Sequence, residues 1–125
     1  MNHEPRIIML ATDLMFSSNV SGFSADRKVK FKRVDSVEDF TTELQSTKDT
    51  LVIIDLGVDQ LNLDATFQAI PESLKPNTIA FAPHVHVEKL KAAEQAGIGH
   101  VMSRGQFSAQ TGRIVHGFKD QFETK

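Results

Sequence analysis

The sequence contains no cysteine, no tryptophan and no tyrosine. Without cysteine there is no disulfide, no thiolate nucleophile, no iron–sulfur site and no cysteine-ligated zinc. The nine phenylalanines are the only aromatic rings apart from histidine. That argues against a protein-binding surface built on amphipathic aromatics. No run approaches the roughly 18 apolar residues that span a bilayer. The opening MNHEPRIIMLA carries Glu4, and its apolar stretch is short before Thr12 and Asp13. It reads as the lead-in to a first strand, not as a secretory signal. Neither sign of charge is in large excess: 14 Lys and Arg stand against 16 Asp and Glu, a formal net charge of -2. A nucleic-acid partner held by phosphate contacts is not expected from that balance. No repeat, low-complexity segment, Walker motif or dinucleotide fingerprint is present. These absences together suit a cytoplasmic protein without a membrane segment.

What is present is an alternation of short apolar runs with helical periodicity. The 125 residues suit one domain, 1–125, with a core of about 6–118 and a polar tail after Phe118 expected to fray. Five runs read as strands: Ile7–Ala11, Lys28–Val34, Leu51–Ile54, Thr78–Ala82 and Gly99–Met102. The first and third are continuous, as strands covered on both faces should be. The second alternates with charge, as an edge strand does, and its lysines discourage edge-to-edge pairing. Between the strands, Ser36 followed by Asp39 gives a capping signal ahead of Val37, Phe40 and Leu44 on one helical face. A weaker helix covers Leu61–Ile70 and ends at Pro71. The clearest helix runs from Val85 to Gly97, where the glycine is a good stop. A last helix covers about Gln106–Phe118, weakened by Gly112 and Gly117. Strand and helix alternate five times. This predicts an α/β fold: a parallel five-stranded sheet in three layers, flavodoxin-like (βα)5, order 2-1-3-4-5.

In such a sheet, ligands bind at the C-terminal ends of the strands, near the reversal of strand order. The residues placed there are Ala11, Thr12 and Asp13; Asp55, Leu56 and Gly57; Ala82, Pro83 and His84; and Ser103, Arg104 and Gly105. Asp55 directly follows four apolar residues, so its place at a strand end is well determined. A carboxylate there accepts a phosphoryl group or ligates a hard cation. It equally caps a helix, or holds a loop by accepting backbone N–H bonds.

The order of elements, from about Arg6 to Phe118, resembles a response-regulator receiver (CheY-like) domain. Asp55, in LVIIDLG, matches the family's acceptor aspartate, and Gly97 matches the glycine that usually precedes strand five. The family's acidic pair falls on Ala11 and Thr12, with Asp13 one place later. Its Thr or Ser after strand four falls on Ala82. Its Lys falls on Arg104, with Gly105 where the proline belongs. The resemblance therefore implies a degenerate or pseudo-receiver. Its Mg²⁺ site would be reduced to Asp13 and Asp55, and its switching hydroxyl is lost. Arg104 is expected to pair with Asp55 as a permanent lock, in a geometry different from that of Lys. The resemblance also implies a protein partner or a homodimer, docked on helix four, strand five and helix five, a region that includes Lys89, Lys91, His100 and Gln106.

Other constellations carry less. His3, His84, His86, His100 and His116 fit no zinc spacing. Ser103 and His84 share the rim with Asp55, as polar residues do in any fold of this kind, so a hydrolase triad is not argued. The basic run Arg27, Lys28, Lys30, Lys32 and Arg33 reads as a solvated edge, balanced by Glu38, Asp39 and Glu43. Leu14, Met15 and Phe16 read as core packing. The expected function is a non-catalytic receiver-like signalling or interaction module. The alternatives are a working phosphoacceptor using Asp55 with Mg²⁺, and a small flavodoxin-like enzyme or nucleotide-binding protein.

Overall fold

The computed structural model describes residues 5–45, 49–58 and 61–123, with side chains to 120. Five parallel strands form one sheet in the order β2-β1-β3-β4-β5: β1 Arg6–Leu10, β2 Lys30–Val34, β3 Thr50–Asp55, β4 Thr78–Ala82 and β5 His100–Ser103. The helices between and after them are α1 Leu14–Asp26, α2 Val37–Leu44, α3 Leu63–Ala69, α4 Val87–Gln95 and α5 Arg104–Glu123. The sheet order and the alternation are those read from the sequence. A 3-10 turn at Glu72–Asn77, preceding β4, was not anticipated.

The strand alternation divides the core into two layers. Ile7, Met9, Ala11, Ile53 and Phe81 face one side, with Val20 of α1 and Phe107 and Val115 of α5. Ile8, Leu10, Val52, Ile54 and Ala80 face the other, with Phe40 of α2, Phe67 of α3 and Ala93 of α4. Successive side chains of a strand point to opposite faces, so a strand covered twice has no polar positions. All six residues of β3 are buried, whereas β2 reads exposed, intermediate, exposed, intermediate, buried along KFKRV. The edge assignment of β2 follows from the same rule.

The helix ends show why several boundaries moved. The second strand begins at Lys30, not at Lys28, because α1 finishes through residues 27–29. Lys28 has φ 57°, and the N–H groups of Lys28 and Val29 donate to the Ala25 and Ser24 carbonyls at 3.2 and 2.8 Å. This is a Schellman closure with a lysine in the left-handed position that glycine usually takes. α4 ends the same way with the expected residue: Gly97 has φ 88°, and Gly97 and Ile98 donate to Glu94 and Ala93. α4 starts at Val87, two residues later than the periodicity suggested. Gly99 precedes β5 and is required by close approach, since a Cβ there would lie 2.4 Å from the Pro76 carbonyl oxygen. α5 is longer than expected at both ends. The tail expected to fray after Phe118 is helical to Glu123, and Arg27 holds Asp120 at 2.6 Å. Gly112 does not interrupt α5; the Phe23 ring of α1 packs so closely on it that a Cβ would meet the ring at 2.8 Å.

A candidate charge-locked site at the strand ends

The strand order reverses between β1 and β3, and the two acidic rim residues flank that point. Asp13 follows β1 and caps α1: its Oδ1 accepts from the N–H groups of Met15 (2.8 Å) and Phe16 (3.4 Å). This satisfies two of the donors that a helix start leaves orphaned. Asp55 is the last residue of β3 and is 2 % exposed. Its Oδ1 accepts from the Gly57 N–H at 2.8 Å, which holds the following turn. Each carboxylate thus spends one oxygen on local backbone.

Their second oxygens face one cation. Arg104 begins α5 directly after β5, and its Nη2 lies 3.3 Å from Asp13 Oδ2 and 3.8 Å from Asp55 Oδ2. The expected pairing of Arg104 with Asp55 is present as an ion pair at 3.8 Å, and Arg104 also donates a hydrogen bond to Asp13, its shorter contact. The guanidinium carbon sits 4.7 Å from the centroid of the Phe16 ring, a cation–π distance. Phe16 in turn meets Phe81 and Phe107, which stack at 4.3 Å. Of the Leu14-Met15-Phe16 stretch read as core packing, only Phe16 packs. Leu14 and Met15, in the first turn of α1, are 65 % and 73 % exposed.

Burial dominates the electrostatics of Asp55. Desolvation pushes its carboxyl above the ordinary aspartate range, the Gly57 N–H and Arg104 pull it back, Asp13 raises it and Lys89 lowers it. Lys89, from α4, donates to the Leu56 carbonyl at 3.2 Å and so brings a second positive charge to the β3 end.

The remaining rim residues divide. Ala82 is fully buried at the end of β4 and brings no hydroxyl. Ser103 is occupied in a reciprocal cap of α5: its Oγ accepts from Gln106 N–H at 3.1 Å, and its own N–H donates to Gln106 Oε1 at 2.9 Å. The S-x-x-Q spacing of a capping box was the signal for it in the sequence. Thr12 and His84 are exposed, and the structure does not join them to the carboxylates. Phe16 beneath Arg104 and Lys89 at Leu56 are the functional neighbours that the sequence reading missed. Nothing local in the sequence marks either contact.

Two carboxylates are a thin donor set for Mg²⁺, which takes about six oxygens in near-octahedral geometry. Here each has one oxygen committed to backbone and the other turned to a guanidinium. Among the described residues no group of three His, Asp or Glu gathers. The residues present do not fit a resident divalent ion. A cavity of about 370 Å³, lined by Ile79, His100, Met102, Arg113 and Phe118 among others, lies beneath α5 and includes no rim residue. Among the described residues no helix is long and apolar enough to cross a membrane.

No family model matches the sequence. No curated protein matches it. Solved structures do. A response regulator receiver protein from Pseudoalteromonas atlantica superposes with TM-score 0.69 at 14% identity, over 94% of this chain and 98% of its own. An uncharacterized protein from Neptuniibacter caesariensis gives TM-score 0.74 at 11% identity, over 95% and 90% of the two chains. A CheY-like response regulator receiver domain protein from Methanospirillum hungatei gives 0.69 at 10% identity, over 95% and 99%. The sheet order and these superpositions agree: the fold of this chain is that of the response-regulator receiver domains.

Proposed function

We propose that the chain is a receiver-like signalling module that docks a protein partner and is not switched by aspartyl phosphorylation. The observation that carries this reading is the state of Asp55. The acceptor-like carboxylate is 2 % exposed, one oxygen is bound to the Gly57 N–H, and the other faces Arg104. A nucleophilic carboxylate needs an open approach and a cation to neutralise the incoming phosphoryl group. The burial of Asp55 and the guanidinium at its second oxygen count against such an approach. Ala82, buried where the family carries its switching hydroxyl, supports the same conclusion, since no O–H is available there to follow a phosphoryl group.

The partner surface is better supported at the strand-end rim than on the α4–β5–α5 face. Gln106 is engaged in the cap of α5, and Lys89 reaches to Leu56. By contrast Leu14, Met15, Val85 and Val87, all on loops or first turns at the strand ends, are 65 %, 73 %, 67 % and 52 % exposed. Exposed apolar groups gathered at one end of a domain favour a protein contact there.

The test is incubation with Mg²⁺ and acetyl phosphate followed by intact-mass measurement. No phosphoryl mass gain is expected. A gain that vanishes in Asp55→Asn would establish the working phosphoacceptor instead.

A further inference from the structure

We infer that the Arg104 guanidinium stands in place of a divalent cation at the strand ends, making the charge balance of this site independent of metal; the inference rests on the reading above. A single nitrogen carries the argument. Nη2 faces Oδ2 of both Asp13 and Asp55, at 3.3 and 3.8 Å. Arginine ordinarily engages one carboxylate with two parallel N–H bonds. That fork is not used here, and Nε is buried without a hydrogen-bond partner among the described residues. The guanidinium, hydrogen-bonded to Asp13 and in a longer ion pair with Asp55, therefore places one positive charge between two carboxylates, which is the role of an ion.

The surroundings fix it there. Phe16 supports the guanidinium at 4.7 Å, with Phe81 and Phe107 behind. Arg104 is also the first residue of α5, held in place by the Ser103–Gln106 cap. The two carboxylates are oriented independently of it, one by the start of α1 and the other by the Gly57 N–H. Cutting back Arg104 removes that charge while the Met15 and Gly57 N–H groups that hold the two carboxylates are retained, with Lys89 still acting on Asp55. A small hard dication, completing its shell with water, is the species such a pair attracts. The wild-type chain is closed to that ion, and the variant without the positive charge is open to it.

Mn²⁺ is the probe, read as loss of the free-ion electron paramagnetic resonance signal, with wild type, Asp55→Asn, Arg104→Met, Arg104→Lys and Arg104→Met/Asp55→Asn compared. Methionine keeps an unbranched apolar stem against Phe16 and removes the charge. The expected result is no single-site uptake by wild type or Arg104→Lys. Arg104→Met should bind one ion at least about tenfold more tightly than wild type, as removal of a unit charge a few ångströms away requires. The double variant should lose that binding. An ion bound by wild type and lost in Asp55→Asn would overturn the inference, whether or not Arg104→Met folds. So would a folded Arg104→Met variant that binds no more tightly than wild type. The two readings fail separately. Phosphoryl mass gain in wild type overturns the proposed function, whereas its absence together with an ion-indifferent Arg104→Met overturns only the present inference.

Discussion

Glu43 and Asp55 are both carboxylates approached by two cations, and their carboxyls move in opposite directions. Glu43, on α2, meets Arg6 at 2.6 Å and Lys32 at 3.0 Å, and its side chain stays 21% exposed beside the edge strand. The hydrogen bond from Lys32 and then that from Arg6 hold it below the ordinary glutamate range. Asp55 meets Arg104 only at 3.8 Å, with its side chain 3% exposed, and burial pushes it up. Counting partners would treat the two alike. Distance and water separate them: direct hydrogen bonds outweigh a small loss of hydration, whereas a longer ion pair does not repay a large one. The edge of the sheet hosts a salt bridge, and the strand ends host a charge held in place by packing.

The largest effect that would sharpen this contrast comes from the strand ends. Arg104→Ala leaves Asp55 buried without its nearest cation and should cost about 2 kcal/mol in urea unfolding at pH 7. Asp55→Asn removes the charge while its amide oxygen still accepts from Gly57, and should be neutral or stabilising by up to about 1 kcal/mol. Equal losses in the two variants would make the pair a net stabilising bridge and erase the difference from Glu43.

Smaller effects belong to the edge. Glu43→Gln should cost about 0.5–1 kcal/mol at low ionic strength. That loss should shrink in 1 M salt, because exposed pairs are screened while buried ones are screened less. A Glu43→Gln penalty that salt leaves unchanged would mean the edge cluster is as dry as the site.

Smallest in energy, and most direct, is the pH dependence. Asp55 is raised in the folded state, so its contribution to stability is fully present below its unfolded value and is lost as pH rises through the folded one. Glu43 is lowered, so its contribution is present above its unfolded value and lost as pH falls through the folded one. Carboxyl ¹³C titration should place Asp55 above and Glu43 below their ordinary ranges, and Asp55→Asn and Glu43→Gln should each remove one of the two opposing slopes. Midpoints displaced in the same direction would break the comparison.

Much of the fold was legible because it rests on local patterns. β4 occupies the expected Thr78–Ala82, and Ser36 caps α2 through the Asp39 N–H. Gly97 takes the left-handed turn that its place after a helix implied. The misreadings share a cause. Lys28 looked like the start of a strand because its charge fits the alternation of β2, yet the Schellman turn of α1 claims it. Leu14 and Met15 looked like core because they are apolar, yet nothing among the described residues covers the first turn of α1 at that end. Ser103 does end β5 on the rim, and α5 also uses it as a cap, a second role that the rim position alone does not announce.

The alternating elements, the two-sided burial of β3 and hence the position of Asp55 at its end are written in the residue order, since a run of apolar residues followed by a carboxylate is a local fact. It took the packing of the layers to bring Arg104 to Asp13 first, across 91 positions of chain, to lay Phe16 beneath the guanidinium, and to raise Asp55 while Glu43 is lowered. The physical reason is that a charge's energy depends on its distance to other charges and to water, and both are set by how the layers close over the sheet.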